Sequence, residues 1–368
     1  MSKQREDLPP WTEAEPDEPR IEGLAVELAA ADGPADEGSG WPEALWRGLI
    51  QAGATRWSIP REVGGEGCSR PLLVQRYARI AEGSLTAAFI LSQHDGAVRR
   101  LAAAADRPTA RMWLDSIVAG RAFATVGISQ LTTSKRLGPR ALVASPAIPW
   151  GYRLDGAMPW VTAAEVADVF VTGALVEDGR QMIVAVPAGR PGVLVRPAFA
   201  LAALQASRTA EVVLEGTPIE PEDILAGPAD ELSAQPGMVG TGGLETSALA
   251  LGQARAALRG LIELAPDRDE LAEPVEVLCQ TWRDVWSALM AAARGDPGGP
   301  APSQIRAQAN ALVLRSTQAF LTARRGSGFL RSDPAQRWAR QALFFLVWSC
   351  PAPIAQAAIR DFAGMCPA

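Results

Sequence analysis

The stretch Asp155-Gly156-Ala157-Met158-Pro159-Trp160-Val161-Thr162 decides how the fold and the class of ligand are interpreted. An aromatic ring beside a hydroxyl group, at the end of an extended segment, suits a flat cofactor with polar edges. The ring stacks on such a cofactor, and the hydroxyl supplies one directed hydrogen bond. The alternative is that Trp160 is a core aromatic residue and Thr162 caps a short helix over 163–166.

The composition is that of a globular protein. The 368 residues are 48% hydrophobic and 21% charged, which allows two or three domains. A net charge of −6 argues against nucleic acid or an anionic membrane as partner. The apolar run at 342–348 is far shorter than the ~20 residues of a membrane span. The acidic start of the chain lacks the apolar core of a targeting peptide.

Cysteine and histidine usage narrows the chemistry. The four cysteines show no metal-ligand spacing, so we expect no metal site and a reducing cytoplasm. The single histidine, His94, rules out a histidine-rich metal site, and a Ser-His-Asp triad would have to use it. We expect a structural role for His94, with substrate contact as the alternative.

Three zones of secondary structure follow one another. Apolar residues at three- and four-residue spacing predict helices at 23–31, 41–52, 71–82, 84–104 and 110–119. Short segments rich in Val or Ile predict strands at 122–128, 142–144, 152–155, 169–174, 181–186, 192–196 and 209–214. Longer helices rich in Ala and Leu are predicted at 244–264, 274–293, 303–324, 334–347 and 351–362.

This order predicts a multidomain α+β fold. We expect a disordered acidic tail at 1–20 and an N-terminal helical domain at 21–121. A middle antiparallel β-barrel or sandwich would cover 122–235, and a C-terminal four-helix bundle would cover 236–368.

The order of these zones, with several local motifs, resembles the acyl-CoA dehydrogenase family of flavoproteins. The resemblance covers nearly the whole chain from Gly23 onward. It is carried by Ile59-Pro60 with Gly64-Gly65-Glu66-Gly67, by Asp155-Gly156 with Pro159-Trp160-Val161-Thr162, by Ser207-Arg208-Thr209 with Val212-Val213-Leu214 and Pro218-Ile219, and by Gly326-Ser327-Gly328-Phe329 with Pro334, Arg337 and Arg340-Gln341-Ala342.

The resemblance implies non-covalent FAD. In the family, the tryptophan matched by Trp160 covers one flavin face, and the threonine matched by Thr162 bonds the reactive ring nitrogen. Arg268 falls where an arginine reaches the adenine-side phosphates of FAD on a neighbouring subunit, although it is also interpretable as a surface residue. Arg325, Gly326 and Gly328 would approach the same dinucleotide, or form a plain turn.

The chain departs from the family at two binding segments. Where the family has a phosphate-contacting loop, this chain has Ser129-Gln130-Leu131-Thr132-Thr133-Ser134. Ser129 would offer a hydroxyl to the pyrimidine edge of the flavin, and Thr132, Thr133 and Ser134 would bond a phosphate. The alternative is a Ser/Thr-rich turn. Gly243 takes the place of an arginine that contacts CoA, which puts CoA binding in doubt.

The catalytic carboxylate of the family is also displaced. Its position holds Ser349, whose hydroxyl has no basicity at neutral pH without a partner base. Some family members carry the base on a different helix instead. Glu245 lies three residues, about one helical turn, after that alternative position. Glu245 is therefore the candidate general base. The alternative is an acidic residue that favours the positive end of a helix.

The resemblance implies a cytoplasmic enzyme, an FAD-dependent oxidoreductase that acts on the CH–CH bond next to an acyl thioester or related acyl group. A flavin monooxygenase of the same fold and a degenerate flavin-binding subunit are the alternatives. The implied partners are further copies, as a homodimer or homotetramer, an electron-transfer flavoprotein or a flavin reductase, and a small acyl substrate.

Overall fold

The computed structural model describes residues 8–13, 17–129, 142–147, 149, 151–230, 232, 243–348, 350 and 352–365. Its α-helices are α1 (Glu18–Glu37), α2 (Glu43–Gln51), α3 (Arg70–Gly83), α4 (Leu85–Ala103), α5 (Pro108–Val118), α6 (Leu244–Leu264), α7 (Ala272–Arg294), α8 (Pro302–Arg324), α9 (Pro334–Ala342) and α10 (Ala352–Phe362). Its strands are β1 (Ala124–Gly127), β2 (Val143–Pro146), β3 (Tyr152–Val161), β4 (Val169–Val176), β5 (Gln181–Pro187), β6 (Val193–Val195), β7 (Ala210–Ile219) and β8 (Ile224–Ala229).

Helix starts follow local chemistry. Ser69 and Ser84 cap α3 and α4, because their hydroxyl oxygens accept hydrogen bonds from backbone N–H groups left free in the first turn. The Ser84 hydroxyl also donates to Asp32 of α1 at 2.6 Å. Ser84 thus links α1 to α4, the helix that it caps.

The sheet is mixed, whereas the sequence predicted an antiparallel one. The strand order is β6-β7-β3-β2-β4-β5-β8, and β1 pairs with β4. Both β1 and β2 pair with β4 in parallel, β1 along residues 169–172 and β2 along 175–176, and the other pairings are antiparallel. Two short strands thus join one longer strand, an arrangement that the spacing of strands along a sequence does not reveal.

The strand that carries the quoted stretch is irregular near its end. The register between β3 and β7 shifts between Met158 and Val161, on either side of Pro159. Proline lacks the N–H that a sheet needs, so such a shift is where it is tolerated. A turn and not a helix covers 162–166, and Ala163 has a φ of 57°. Thr162 is therefore not a helix cap, and that alternative was wrong.

Helices α3 and α6 pack with their backbones close together. A Cβ atom added at Gly252 of α6 would lie 2.1 Å from the carbonyl oxygen of Ala78 of α3, a distance that no real Cβ reaches. One hydrophobic core also includes residues of all three zones, such as Leu24 of α1, Met158 of β3 and Leu251 of α6. The domain boundaries inferred from sequence remain a prediction.

The segment before α1 contradicts the expected disordered tail at residues 8–13. The ring of Trp11 lies 5.2 Å from that of Trp286 of α7, and the Arg255 guanidinium of α6 lies 4.5 Å from the Trp11 ring. The backbone N–H of Glu13 donates to Gln75 of α3 at 2.8 Å. The aromatic side chain of Trp11 and the hydrogen bond between the Glu13 backbone and the Gln75 side chain outweigh the acidic, proline-rich composition here.

Candidate active site

One cavity of about 1180 Å³ lies where the N-terminal helices, the sheet and the C-terminal helices meet. Its lining includes Trp160 and Thr162 from the end of β3 and Glu245 from the first turn of α6. Ser129, which follows β1, also lines it. The structure thus brings together four of the residues that the sequence singled out.

Trp160 presents an aromatic face to this cavity. Its side chain is 48% exposed, although most large hydrophobic residues of β3 are buried. The Trp160 ring packs on Phe199 with centroids 4.8 Å apart and an angle of 51° between the planes. A ring supported on one side and open on the other is a platform for stacking a flat ligand.

Thr162 belongs to a line of hydroxyl groups. Its Oγ1 accepts a hydrogen bond from Thr209 Oγ1 at 3.4 Å, and Thr209 lies 2.9 Å from the hydroxyl of Ser207. The carbonyl of Thr162 also accepts from the Thr125 hydroxyl at 2.8 Å, which fixes the backbone. Thr162 is almost fully buried but still lines the cavity, so its side chain is held in one place.

Glu245 forms an ion pair with Arg99, which also lines the cavity. Arg99 Nη1 donates to Glu245 Oε1 at 3.2 Å, and the Glu245 side chain is 23% exposed. A protonatable carboxylate thus stands at the cavity surface with one cation beside it. This position suits a general base, as predicted, although it equally places a negative charge at the start of a helix.

A buried polar cluster lies behind Arg99. The hydroxyl groups of Tyr77 and Ser58 donate to the two carboxylate oxygens of Asp95, Ser58 at 2.9 Å. Arg99 also acts on Tyr77, because its charge lowers the pKa of that hydroxyl against the larger effect of burial, which raises it. Burial raises the pKa of Asp95 to about 6, although Arg99 and the two hydroxyl groups oppose this rise. The sequence analysis missed this cluster, and only the Asp95–Arg99 spacing of one helical turn could have pointed to it.

Part of the cavity wall is aromatic. The rings of Phe344 and Trp348 are stacked with centroids 5.2 Å apart, and the Phe89 ring of α4 meets both edge-on at 4.8 Å and 5.0 Å. All three residues line the cavity. This wall offers an apolar surface to a ligand.

The residues predicted for the adenine end of FAD form a second group. Arg268 Nη1 donates to the carbonyl of Ala323 at 2.5 Å, close to the turn that holds Arg325, Gly326 and Gly328. A Cβ at Gly326 would meet nothing within 4 Å. Among the described lining residues of the cavity none belongs to this group. Within one chain the two groups lie apart.

The remaining predicted site residues are not part of this geometry. Thr132, Thr133, Ser134 and Ser349 lie outside the described residues. Among the residues that are described, no group of three or more histidine, cysteine or acidic side chains is placed to hold a metal ion. No helix in the described ranges is both long and apolar enough to cross a bilayer.

His94 is buried away from the cavity lining. Its Nδ1 lies 2.9 Å from the carbonyl oxygen of Ala124, and its ring packs against Trp46 and Phe123. Burial lowers the pKa of His94 to about 4, so its ring is neutral at pH 7. The contacts fit the expected structural role.

Known proteins resemble this chain in sequence and in structure. No family model matches the chain. A benzylmalonyl-CoA dehydrogenase of Aromatoleum aromaticum is 26% identical over 265 residues, which is 69% of this chain and 67% of that protein. The butyryl-CoA dehydrogenase of Megasphaera elsdenii superposes with a TM-score of 0.79 at 16% identity, over 96% of this chain and 99% of that one. The dibenzothiophene monooxygenase TdsC of Paenibacillus sp. A11-2 superposes with a TM-score of 0.71 at 18% identity, over 94% and 96%.

The residues that line the cavity fit a flavin, independently of these similarities. Trp160 offers an open ring face, Thr162 a fixed hydroxyl, and the cavity exceeds the roughly 300–1,000 Å³ of common ligand sites. There is room for a ring system together with a substrate. The chain has the fold of the acyl-CoA dehydrogenases, and its similarity to them supports a flavin-dependent oxidoreductase. The resemblance and the fold class expected from the sequence are confirmed.

Proposed function

We propose that this protein is an FAD-dependent oxidoreductase that oxidises the carbon–carbon bond next to the carbonyl of an acyl thioester. The observation that carries this proposal is that Trp160, Thr162 and Glu245 line one cavity. A stacking surface, a hydrogen-bonding hydroxyl and a carboxylate are the three groups that such a reaction needs from the protein.

Trp160 and Thr162 would hold the ring end of the flavin. Trp160 would stack on it, and the Thr162 hydroxyl, held by Thr209, would bond its polar edge. Ser129 would contact the pyrimidine edge, with Thr132, Thr133 and Ser134 toward a phosphate. When bound, the flavin would accept the hydride from the second carbon of the oxidised bond, next to the carbon that loses its proton. The aromatic wall of the cavity would keep water from the reacting carbons.

Glu245 would act as the general base. Its carboxylate would take the proton from the carbon next to the thioester carbonyl as the C–H bond breaks. The aromatic wall of Phe89, Phe344 and Trp348 would hold the acyl group so that this carbon faces Glu245. Ser349 has no proton-transfer role in this scheme.

The second group of residues would complete the cofactor site from another copy of the chain. Arg268 would offer its guanidinium to the adenine-side phosphates, with Arg325, Gly326 and Gly328 beside it. This group lies apart from the cavity of its own chain. A homodimer or homotetramer would therefore bring both ends of the dinucleotide site together.

Anaerobic titration of the FAD-loaded protein with acyl thioesters tests the proposal. The panel should include straight-chain, dicarboxylic and aryl-substituted acyl groups, because the curated relative is a benzylmalonyl-CoA dehydrogenase. We expect the absorbance of oxidised flavin to bleach with at least one thioester, and an electron-transfer flavoprotein to accept the electrons. No bleaching with the whole panel would contradict the proposal.

A monooxygenase of the same fold is the second candidate. It is favoured by the structural likeness to dibenzothiophene monooxygenase and by serine at the position of the family's usual base. In that case a separate NAD(P)H-dependent flavin reductase would supply reduced flavin, and oxygen uptake would depend on substrate. The same titration separates the two, because such an enzyme is not reduced by thioesters.

A further inference from the structure

Four polar residues extend from the protein interior to the cavity. Asp95 is fully buried and accepts from Tyr77, and Arg99 donates to Glu245 at 3.2 Å. Arg99 lies one helical turn beyond Asp95 on the same helix, and its charge acts on both Asp95 and Tyr77. Tyr77 belongs to α3, Asp95 and Arg99 to α4, and Glu245 to α6. Ser58 donates to the remaining oxygen of Asp95 at 2.9 Å.

The proposed reaction changes the charge at one end of this set of residues. When Glu245 accepts a proton, it becomes neutral and no longer balances the Arg99 guanidinium. An unbalanced cation in a partly buried site is costly, so it needs a second anion nearby. Asp95 is that anion, and Tyr77 donates a hydrogen bond to it.

We propose that Asp95 and Tyr77 are positioning residues that hold Arg99, and through it Glu245, at the cavity surface while Glu245 changes its protonation state. This inference rests on the proposed function, because it takes Glu245 as the base. While Glu245 is ionised, its carboxylate would balance the charge of Arg99. After Glu245 has accepted the proton, Asp95 would balance that charge, and Tyr77 would hold Asp95 in place.

The surroundings of Asp95 suit this role. The groups that face it are Arg99, Tyr77, Ser58 and, at longer range, Glu245, and no other ionisable side chain in the described part of the chain influences it as strongly. Its pKa of about 6 leaves it ionised at neutral pH. Tyr77 stays protonated, because burial and then Asp95 raise its pKa well above 10. The hydroxyl therefore always has a proton to donate to Asp95.

The decisive variant is Tyr77→Phe, which removes one hydroxyl and keeps the buried ring. A hydrogen bond to a charged group contributes about 1.5–3 kcal/mol, so we expect flavin reduction by substrate to slow roughly 10- to 100-fold in single-turnover measurements. FAD binding should not change. Tyr152→Phe, at the start of β3 and outside the cavity lining, is the matched control and should reduce as fast as the parent.

The pH profile separates positioning from packing. In Tyr77→Phe the acid limb of the rate should move to higher pH, because the hydrogen bond from Tyr77 lowers the pKa of Asp95, and without it Asp95 is protonated at a higher pH. A residue that serves only packing would lower the unfolding temperature and leave this limb in place. In an Arg99→Gln background, Tyr77→Phe should have little further effect on the rate of flavin reduction, because both changes disrupt the same set of polar contacts.

The outcomes divide cleanly. If the parent is reduced by a thioester and Glu245→Gln is not, but Tyr77→Phe matches the parent in rate and pH limb, the positioning role is wrong and the proposed function stands. If no thioester reduces the parent, both fail. Asp95→Asn should resemble Tyr77→Phe, and if it does not fold, the Tyr77→Phe result still decides.

Discussion

The guanidinium of Arg99 and the carboxylate of Glu245 form an ion pair at 3.2 Å that joins α4 to the first turn of α6. The two residues are 146 positions apart in the sequence, yet they stand together at the cavity surface. The pair holds a carboxylate from the start of α6 against the cavity.

Glu245→Gln should stop flavin reduction by substrate and leave FAD bound. The amide keeps the size of the side chain and loses its basicity, and general-base catalysis contributes about 10²–10⁴-fold. Stopped-flow absorbance under anaerobic conditions measures this loss. Ser349→Ala is the control and should cost far less, and equal rates for Glu245→Gln and the parent would refute the assignment.

Trp160→Ala and Thr162→Val should weaken flavin binding in different ways. Trp160→Ala removes the ring that packs on Phe199 and would stack on the flavin. Thr162→Val removes the hydroxyl held by Thr209 and keeps the shape of the side chain. We expect each to raise the dissociation constant about tenfold, which corresponds to roughly 1.4 kcal/mol. Fluorescence titration measures it. Full retention of flavin by both variants would show that the ring end binds elsewhere.

Arg268→Ala should weaken the binding of FAD and leave that of FMN unchanged, because FMN lacks the adenine-side phosphate. Arg268 is held by the Ala323 carbonyl at 2.5 Å, so its loss also loosens the turn after α8. Arg47→Ala, in an exposed pair with Glu43 on α2, provides a matched control. Equal losses for FAD and FMN would contradict the adenine-side role.

His94→Gln should change how stability depends on pH. The folded pKa of His94, about 4, lies below its unfolded value of 6.5, so its contribution is complete above pH 6.5 and is lost as the pH falls toward 4. Between pH 7 and 5 the variant should lose about 2 kcal/mol less stability than the parent. Denaturant unfolding at both pH values measures this difference.

Asp95 acts in the opposite direction, so the variant must be compared with the parent at each pH. Its folded pKa of about 6 lies above the unfolded value of 3.8, and the stability it contributes at low pH is lost as the pH rises through 6. A parent protein with nearly flat stability between pH 4 and 6 fits both groups. An identical pH dependence of the parent and of His94→Gln would show that His94 is not a buried neutral ring.

Sequence patterns predicted most of the fold because helices depend on local periodicity. The predicted helix at 244–264 matches α6 at both ends. Strand β8 was missed, since its Gly227-Pro228 pair looks like a loop signal. The parallel pairings of β4 could not be predicted, because neighbours in a sheet are set by tertiary packing.

The candidate site was only half predictable for a related reason. Trp160 and Thr162 lie within one short motif, so their proximity can be inferred from sequence. Tyr77, Asp95 and Arg99 carry no motif, and Tyr77 reaches Asp95 only because α3 and α4 fold against each other. Polar contacts between elements leave little trace in a single sequence.

Gly252 links the packing of the helices to the geometry of the site. It lies seven residues, or about 10 Å of helix, beyond Glu245, and it meets the backbone of α3 one residue after Tyr77. Glu245, the proposed base, and Tyr77 therefore lie on two helices whose backbones touch at a fixed point. A single methyl group at this contact would force the two helices apart and shift Glu245, so we expect a mutation remote from any ligand to appear as a defect in catalysis.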